Sequence, residues 1–487
     1  MRAIIDNFPL QPRACTWELT LRCNLNCGHC GSRAGQARGS EMSRDAMLGV
    51  ARQLASLGCR RVTLSGGEPT LCDHWQDVAS EGARLGMRMN LITNAVRTGK
   101  DFVRDAKNSG LVNLGVSLDG LAPQHDLLRK SKGLYGKVLQ LLDDCAAEKL
   151  PVGVITTIHR GNLHQLEAIH DLLVGRVFVW QLQIGAAMGN LGDHRGDQIC
   201  PEDLLEVVPT LARLIQRCQV HIRVADNVGY YGAYEATLRK SRRTPLGCWT
   251  GCYAGCRNVG IEADGGVKGC LSLQASTATE GNLQTESLAD IWRRPGAFAY
   301  NRQFTLDNLK GFCRTCVHAE ICRGGCVSMR TCEGGWENPY CYHRVATLAD
   351  RAADRKRPRY APLAIAPAAL LAAIGCGGTV SDTVPVYGAP NPGQDAAPSD
   401  GGSDALSEQG APLYGFPYDA PSELAPHYGV PDDAPEVDAV DLYGLPPDAM
   451  EGSTWYGVDA PDTDADAAEE AGPDGDYLYG LPPPQDH

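Results

Sequence analysis

The sequence predicts an α/β protein in which parallel strands alternate with helices. From Ala14 to about Cys218, short β-rich runs alternate with stretches that carry apolar residues at helical spacing. Six such units in succession predict parallel strands joined by right-handed crossovers. The predicted strands are Cys15–Leu21, Arg61–Leu64, Met87–Thr93, Val112–Leu118, Val152–Ile158 and Val177–Gln183.

Helices are expected to fill the intervals between these strands, and two of them have clear signals. The segment Ser43–Leu57 opens with a serine that suits a helix N-cap, and it stops at Gly58. The segment Tyr135–Glu148 carries apolar residues at helical spacing. Both segments lie between predicted strands, as the crossovers of a parallel sheet require.

A cysteine-rich loop follows the first predicted strand, and the rest of the chain is organised around it. Cys23, Cys27 and Cys30 stand at the spacing C-x3-C-x2-C. Thiolates are the usual ligands of iron–sulfur clusters, and four are needed to saturate a [4Fe–4S] cluster. Three cysteines therefore predict a cluster with one iron left open for a small molecule. The alternative is a structural zinc knuckle with His29 as its fourth ligand.

This loop, placed after the first of six strand–helix units, resembles the signature of the radical S-adenosylmethionine (SAM) superfamily. The resemblance implies a partial (β/α)6 TIM-like barrel with its chemistry at the carboxyl ends of the strands. It also implies that SAM chelates the open iron. One electron, from a donor such as flavodoxin or ferredoxin, would then cleave SAM to methionine and a 5′-deoxyadenosyl radical. On this reading Cys23, Cys27 and Cys30 are both metal ligands and catalytic residues.

The loops after the later strands carry the candidate SAM contacts. Paired glycines allow a close approach of backbone, and a glutamate offers an anionic acceptor. The family resemblance places the GGEP stretch at the methionine amino group of SAM, and it places a serine, an aspartate and an arginine around the ribose and carboxylate. The candidates are Gly66, Gly67, Glu68, Pro69, Asn94, Ser117, Asp119 and Arg129, with Gln183 as a weaker addition. A simple turn and a helix cap are the alternative interpretations of these stretches.

A second field of cysteines lies between Cys248 and Cys341. Its most specific segment is a C-x2-C-x5-C-x3-C run from Cys313 to Cys326. Upstream, twelve residues separate Cys252 from Gly265, and four separate Gly265 from Cys270. The alternative is a pair of zinc ribbons, because C-x2-C pairs are common zinc ligands.

This field is similar to the SPASM extension, which holds two auxiliary [4Fe–4S] clusters. The resemblance implies a first auxiliary set of Cys252, Cys270, Cys326 and either Cys248 or Cys256, of which we favour Cys248. It implies a second auxiliary set of Cys313, Cys316, Cys322 and Cys341. The remaining cysteines before the tail are expected to be ordinary core or surface residues: Cys15, Cys59, Cys72, Cys145, Cys200, Cys218 and Cys332.

Charge divides the chain into a basic body and an acidic tail. Of the 58 acidic residues 23 lie from Ser381 onward, which leaves 35 acidic residues against 45 Lys and Arg in the body. No stripe of Arg and Lys with interleaved aromatic residues appears, so nucleic acid is not an expected partner. We expect no membrane span and no N-terminal signal peptide, and we therefore expect a cytoplasmic protein.

The predicted domains follow from these changes of character. They are a radical SAM barrel over residues 1–220, a SPASM domain over 221–345, a basic and apolar linker over 346–380, and an acidic tail over 381–487. The linker resembles a lipoprotein signal, with an apolar run before Cys376, although its place in mid-chain is unusual. The tail is rich in Asp, Pro, Ala and Gly, and this composition predicts disorder.

One motif recurs in the tail. Six of its eight tyrosines precede glycine, namely Tyr387, Tyr414, Tyr428, Tyr443, Tyr456 and Tyr479. These X-Tyr-Gly sites resemble the substrates of spliceotide-forming radical SAM enzymes, which excise a tyramine unit. The resemblance implies that the tail is a fused peptide substrate, with tyrosine crosslinking as another outcome. The alternative for the tail is a low-complexity linker. The alternatives for the protein are a radical SAM enzyme that acts on an unrelated small molecule or protein, and a zinc-stabilised interaction protein.

Overall fold

The computed structural model describes residues 9–240, 247–274, 276–332 and 335–356. Over these residues the chain forms a mixed α/β structure, so the predicted fold class is confirmed. The described residues contain ten strands, and their bounds are β1 Ala14–Thr20, β2 Arg61–Gly66, β3 Arg88–Thr93, β4 Leu111–Ser117, β5 Val152–Ile158, β6 Val179–Ile184, β7 Ile222–Val224, β8 Asn258–Ile261, β9 Gly266–Lys268 and β10 Gly281–Asn282.

Helices connect these strands and extend beyond them. Their bounds are α1 Arg44–Ser56, α2 Trp75–Arg84, α3 Lys100–Asn108, α4 Ala122–Arg129, α5 Leu134–Glu148, α6 Leu166–Leu173, α7 Gly189–Asp193, α8 Leu204–Arg217, α9 Glu235–Lys240, α10 Leu288–Arg293, α11 Ala299–Arg302, α12 Gly311–Thr315, α13 Ala319–Cys322, α14 Val327–Cys332 and α15 Tyr342–Lys356. The searched part of the chain contains no helix with the length and apolar character of a membrane span.

The first six strands lie side by side in the order of the sequence. Each of the pairs β1–β2, β2–β3, β3–β4, β4–β5 and β5–β6 is parallel. Parallel neighbours need a crossover, and helices α1 to α6 occupy these connections. All six predicted strands are present, with bounds that differ from the prediction by at most two residues. The carboxyl ends of the strands therefore meet at one edge, where the cysteine loop begins.

Helix α1 shows how the local sequence sets these elements. The Ser43 side chain accepts a hydrogen bond from the Ala46 amide at 3.4 Å, as the predicted N-cap requires. Met47, Val50 and Leu54 recur at helical spacing and are buried. Since buried apolar area stabilises by roughly 25 cal/mol per Å², this face holds the helix on the sheet.

The sheet does not stop at six strands. β7 pairs in parallel with β6, and β8 pairs in parallel with β1 on the opposite side. Strands β9 and β10 then continue the sheet as antiparallel neighbours. The second cysteine-rich region thus shares a sheet with the first strand, which the sequence pattern did not predict because these strands are only two to four residues long.

A buried ion network joins the same two regions. The Arg38 guanidinium donates to Glu18 on β1 at 2.5 Å and to Glu262 after β8 at 2.9 Å. Lys268 on β9 lies 2.9 Å from the same Glu262 oxygen and is buried. Because breaking a buried ion pair leaves an uncompensated charge, this network fixes β8 and β9 against β1.

Candidate functional site

A cavity of about 330 Å³ opens at the carboxyl ends of the strands. Three parts of the chain line it: the cysteine loop after β1, the ends of β2 to β6, and the second cysteine field. Most of the predicted site residues belong to its lining, namely Cys23, Cys27, Cys30, Gly66, Gly67, Asn94, Ser117, Asp119, Arg129, Gln183, Cys252, Cys270 and Cys326. The structure therefore brings together residues that are up to 303 positions apart, from Cys23 to Cys326.

The three cysteines of the first loop face this cavity, and donors are directed at the sulfurs of Cys23 and Cys30. The Ala34 amide donates to Cys30 Sγ at 3.4 Å, and the Asn94 side-chain amide donates to Cys23 Sγ at 3.8 Å. Burial raises the pKa of Cys27 to about 11, although the nearby Arg129 charge opposes this shift. A metal must therefore displace the proton of this thiol. Donors directed at sulfur fit a thiolate-held cluster.

The paired glycines at the end of β2 pack against the backbone that leads into the cysteine loop. The Gly67 amide donates to the Thr20 carbonyl at 2.8 Å, and the Glu68 amide donates to the Arg22 carbonyl at 2.8 Å. A Cβ atom on Gly67 would lie 2.2 Å from the Arg22 oxygen, which is far inside contact distance. Because Gly67 has no side chain, its backbone can pack against the backbone of the cysteine loop, and a ligand can also approach it closely.

We predict that Gly67→Ala removes about a third of the cluster iron, because a displaced loop loses one of three [4Fe–4S] sites. The added methyl group must push away the backbone at Leu21 and Arg22, which directly precedes Cys23. Iron and sulfide analysis of the anaerobically reconstituted protein checks this. Gly35→Ala is the matched control, because a Cβ there meets nothing within 4 Å. Full iron content in Gly67→Ala would contradict this account of the loop.

Glu68 and Pro69 lie beneath the loop and outside the lining of the cavity. The Glu68 carboxylate is buried and accepts hydrogen bonds from the Asn94 amide at 2.8 Å, from the Thr93 hydroxyl at 3.0 Å and from the Thr70 hydroxyl at 2.7 Å. Burial raises the pKa of Glu68, and these donors oppose the rise. In this structure Glu68 ties the β2 loop to the end of β3, and a direct contact between its side chain and SAM stays a prediction.

Asn94 lies between the cysteine loop and the end of β3. Its side-chain amide donates to Asn24 at 2.8 Å as well as to Cys23, and its side-chain oxygen accepts from the Val96 amide at 2.9 Å. Ser117, at the end of β4, lines the cavity. Both residues are thus positioned to contact a small molecule bound beside the first cysteine loop.

A buried charged cluster follows β4. Two Arg129 nitrogens donate to one Asp119 oxygen at 2.9 and 2.6 Å, and the other oxygen accepts from the Thr157 amide at 2.7 Å. His29 Nε2 of the cysteine loop lies 3.2 Å from the same carboxylate. Burial alone would raise the pKa of Asp119, but the Arg129 and His29 charges outweigh it and hold the pKa well below its usual range. Asp119 therefore stays ionised at neutral pH.

The first auxiliary set faces the same cavity. Cys252, Cys270 and Cys326 all line it, and burial raises the pKa of Cys270 to about 11. Neither candidate for the fourth place lines the cavity. Burial and the Glu235 carboxylate raise the pKa of Cys248, whereas Cys256 is buried beside the turn at Tyr253. The choice between Cys248 and Cys256 stays open, with Cys248 as the prediction.

The second auxiliary set surrounds a separate small cavity of about 20 Å³. Cys313, Cys316, Cys322 and Cys341 all line it. The Asn338 amide donates to Cys313 Sγ at 3.5 Å, and the His318 amide donates to Cys316 Sγ at 3.4 Å. The predicted grouping, which takes Cys326 away from its neighbours in sequence, matches the placement of these side chains.

Sequence reasoning missed several residues that hold the site. Glu41 accepts hydrogen bonds from the Thr20 hydroxyl at 2.9 Å and from the Leu21 amide at 2.9 Å, and so fixes the start of the cysteine loop. Asn190 on α7 donates to the Cys27 carbonyl at 2.8 Å, and its backbone amide donates to the Cys30 carbonyl at 2.8 Å. Isolated polar residues between elements give no pattern from which these contacts could be predicted.

Three predictions concern residues outside the described part of the chain. These are the lipoprotein-like segment before Cys376, the disorder of the acidic tail over 381–487, and the X-Tyr-Gly sites of that tail.

Two family models match the chain. Residues 17–173 match the radical SAM superfamily, and residues 252–317 match SPASM, an iron–sulfur cluster-binding domain. The second description names iron–sulfur clusters, in agreement with the predicted cofactors and against the zinc alternatives. The domain limits at residues 220 and 345 stay predictions.

Relatives of this chain act on different kinds of molecule. It is 25% identical over 344 residues to the AdoMet-dependent heme synthase of Methanosarcina barkeri, and this alignment covers 68% of this chain and 97% of the relative. It is 27% identical over 340 residues to the PqqA peptide cyclase of Bradyrhizobium diazoefficiens, and this alignment covers 67% of this chain and 83% of the relative. Streptococcus suis SuiB bound to S-adenosylmethionine has a similar fold, with a TM-score of 0.54, 17% identity, and coverage of 70% of this chain and 78% of that one.

Proposed function

Starting from a chain that joins a radical SAM domain to a SPASM domain, we propose that this enzyme modifies a ribosomally made peptide. Its cofactors are S-adenosylmethionine and [4Fe–4S] clusters. The observation that carries the proposal is the shared cavity, into which cysteines of the first loop and of the first auxiliary set both face. The similarity to a peptide cyclase supports a peptide as the substrate.

Each side of the cavity has a separate task in this proposal. Cys23, Cys27 and Cys30 would hold the cluster that binds SAM, and Asn94 and the ion pair of Asp119 with Arg129 would orient the ligand. When bound, the cluster and SAM supply a 5′-deoxyadenosyl radical that removes a hydrogen atom from the substrate. The substrate would enter from the side of Cys252, Cys270 and Cys326.

Water exclusion is the second task of the protein. The segment after β6 covers the cysteine loop through the two hydrogen bonds of Asn190, and Met188 of the same segment lines the cavity. A Cβ on Gly31 would lie 3.2 Å from the Met188 sulfur, so the Met188 side chain packs closely against the backbone of the cysteine loop. A closed cavity protects reactive intermediates from side reactions with solvent.

The X-Tyr-Gly sites of the tail are the substrate that we propose in particular. Six such sites in one segment with no Lys or Arg favour a repeated substrate over a spacer. A tethered peptide meets the site at an effective concentration on the order of millimolar. If the tail is as flexible as its composition predicts, roughly 40 of its residues have a root-mean-square span of about 35 Å.

Mass spectrometry of the full-length protein tests this function. After anaerobic reduction and incubation with SAM, we expect mass changes in tail peptides that contain X-Tyr-Gly, by tyramine excision or tyrosine crosslinking. Tyr443→Phe should lose the change at residues 442–444 and keep it elsewhere, because the phenol of that site is gone. If 5′-deoxyadenosine forms while every tail peptide keeps its mass, the tail is not the substrate, although the radical chemistry stands.

A second candidate is a radical SAM enzyme with a small-molecule substrate. The similarity to a heme synthase over 68% of the chain favours it. In that case the tail would stay unmodified, and added candidate substrates would change the rate of 5′-deoxyadenosine formation.

A further inference from the structure

Four successive residues in the loop between β7 and α9 have left-handed backbone. Their φ values are 95° at Gly229, 72° at Tyr230, 61° at Tyr231 and 83° at Gly232. Glycine adopts this conformation readily, but tyrosine does so only when its surroundings require it. The two tyrosines are buried, so the strain lies inside the protein and next to the auxiliary cysteines.

Two buried charged residues on α9 hold this loop in place. Glu235 accepts hydrogen bonds from the Tyr231 amide at 2.9 Å and from the Trp249 amide at 2.7 Å. Arg239 donates to the Val228 carbonyl at 2.7 Å and to Glu235 at 3.1 Å. The loop is thus fixed by hydrogen bonds to charged groups, which are stronger than those between neutral groups.

The side chain of Tyr230 reaches the first auxiliary set. Its hydroxyl donates to the Asp226 carbonyl and accepts from the Cys326 amide at 3.0 Å. The neighbouring Gly325 makes room for the ring, because a Cβ there would lie 2.9 Å from the Tyr230 Cζ atom. The tyrosine hydroxyl therefore sets the backbone of one predicted cluster ligand.

The ring and backbone of Tyr230 reach the second auxiliary set. The residue lines the small cavity that Cys313, Cys316, Cys322 and Cys341 surround. Its carbonyl oxygen lies 3.8 Å from Cys341 Sγ and accepts from the His343 amide at 3.3 Å. One residue thus contacts a predicted ligand of each auxiliary cluster.

We propose that Tyr230 is a positioning residue shared by the two auxiliary cluster sites, with its hydroxyl holding the Cys326 amide and its carbonyl holding the His343 amide, two residues beyond Cys341. This rests on the assignment of those cysteines as cluster ligands. Hydrogen bonds around cluster ligands tune the reduction potential of a cluster. The strained loop fixes the Tyr230 backbone, so its hydroxyl and its carbonyl are held at the two sites by separate contacts.

Replacing only the hydroxyl tests the proposal. In Tyr230→Phe the ring and the carbonyl remain, while the Cys326 amide loses its acceptor. We expect the reduction potential of the first auxiliary cluster to shift, and that of the second to stay in place, in an EPR-monitored redox titration of the reconstituted full-length protein. Tyr135→Phe is the matched control, because Tyr135 lies on α5 and lines neither cavity.

The outcomes separate this proposal from the proposed function. If wild-type protein loads no auxiliary cluster, the assignment of the cysteines fails. If all clusters load and Tyr230→Phe has the potentials and spectra of wild type, the proposal for Tyr230 alone is overturned. Should Tyr230→Phe fail to fold, a fluorinated tyrosine at position 230 keeps the shape and weakens the hydroxyl as an acceptor. A shift confined to the first auxiliary cluster is then still expected, and unchanged potentials reject the proposal.

Discussion

Replacing Cys27 by alanine is expected to abolish the formation of 5′-deoxyadenosine. Cys27 is one of three thiols that face the cavity from the first loop, and two thiolates cannot hold a [4Fe–4S] cluster that is bound by only three. The measurement is chromatography of the products after anaerobic reduction in the presence of SAM. We expect a fall to the level of a reaction without enzyme.

A matched control separates this effect from the loss of any cysteine. Cys218 is exposed and lies in neither auxiliary set, so Cys218→Ala should keep wild-type activity. Cys316→Ala should remove the second auxiliary cluster and lose product, while 5′-deoxyadenosine still forms, because Cys316 lies in the separate small cavity. Wild-type activity in Cys27→Ala would refute the assignment of the first loop.

Asp119→Asn is expected to destabilise the protein by about 3–5 kcal/mol, since it leaves a buried guanidinium without its counter-charge. Asp119 is fully buried, and Arg129 is 7% exposed. His29 of the cysteine loop loses its charged partner in the same change. The measurement is the urea midpoint of unfolding at matched iron content, in a double-mutant cycle with Arg129→Met.

A surface pair provides the comparison for this cycle. Arg33 and Asp193 also form an ion pair, but their side chains are 54% and 53% exposed. Asp193→Asn should therefore leave the urea midpoint close to that of wild type, because solvent screens exposed ion pairs. An equal, small effect at Asp119 and Asp193 would show that the buried cluster does not stabilise the strand ends.

The parts of this protein that were predictable from sequence are those with a repeating pattern. Alternation of strands and helices predicted the order of β1 to β6. The family resemblance that the cysteines carry implied two auxiliary sets, and the structure places three members of the first set at one cavity and all four members of the second set at another. In both cases several residues carry the same signal.

Features that depend on a single distant contact were not predictable. The sequence around Asn258 does not indicate that β8 pairs with β1, because a strand of four residues is too short to show a clear alternation of apolar and polar residues. The hydrogen bonds that the Glu68 carboxylate accepts from Thr70, Thr93 and Asn94 were not predictable from its motif, and its contact with SAM stays a prediction. His29 was weighed only as a zinc ligand, whereas the structure places it on Asp119.

The pairing of β8 with β1 has a consequence for how the chain is made. β1 is complete early in synthesis, but its second neighbour is added only after about 240 further residues, which takes on the order of 10–50 s at the usual rates of translation. During that time the nascent barrel presents an unpaired strand edge, and such edges promote aggregation. Expression of a fragment that ends before β8 should therefore yield insoluble protein, and chaperones should matter most for the first half of the chain.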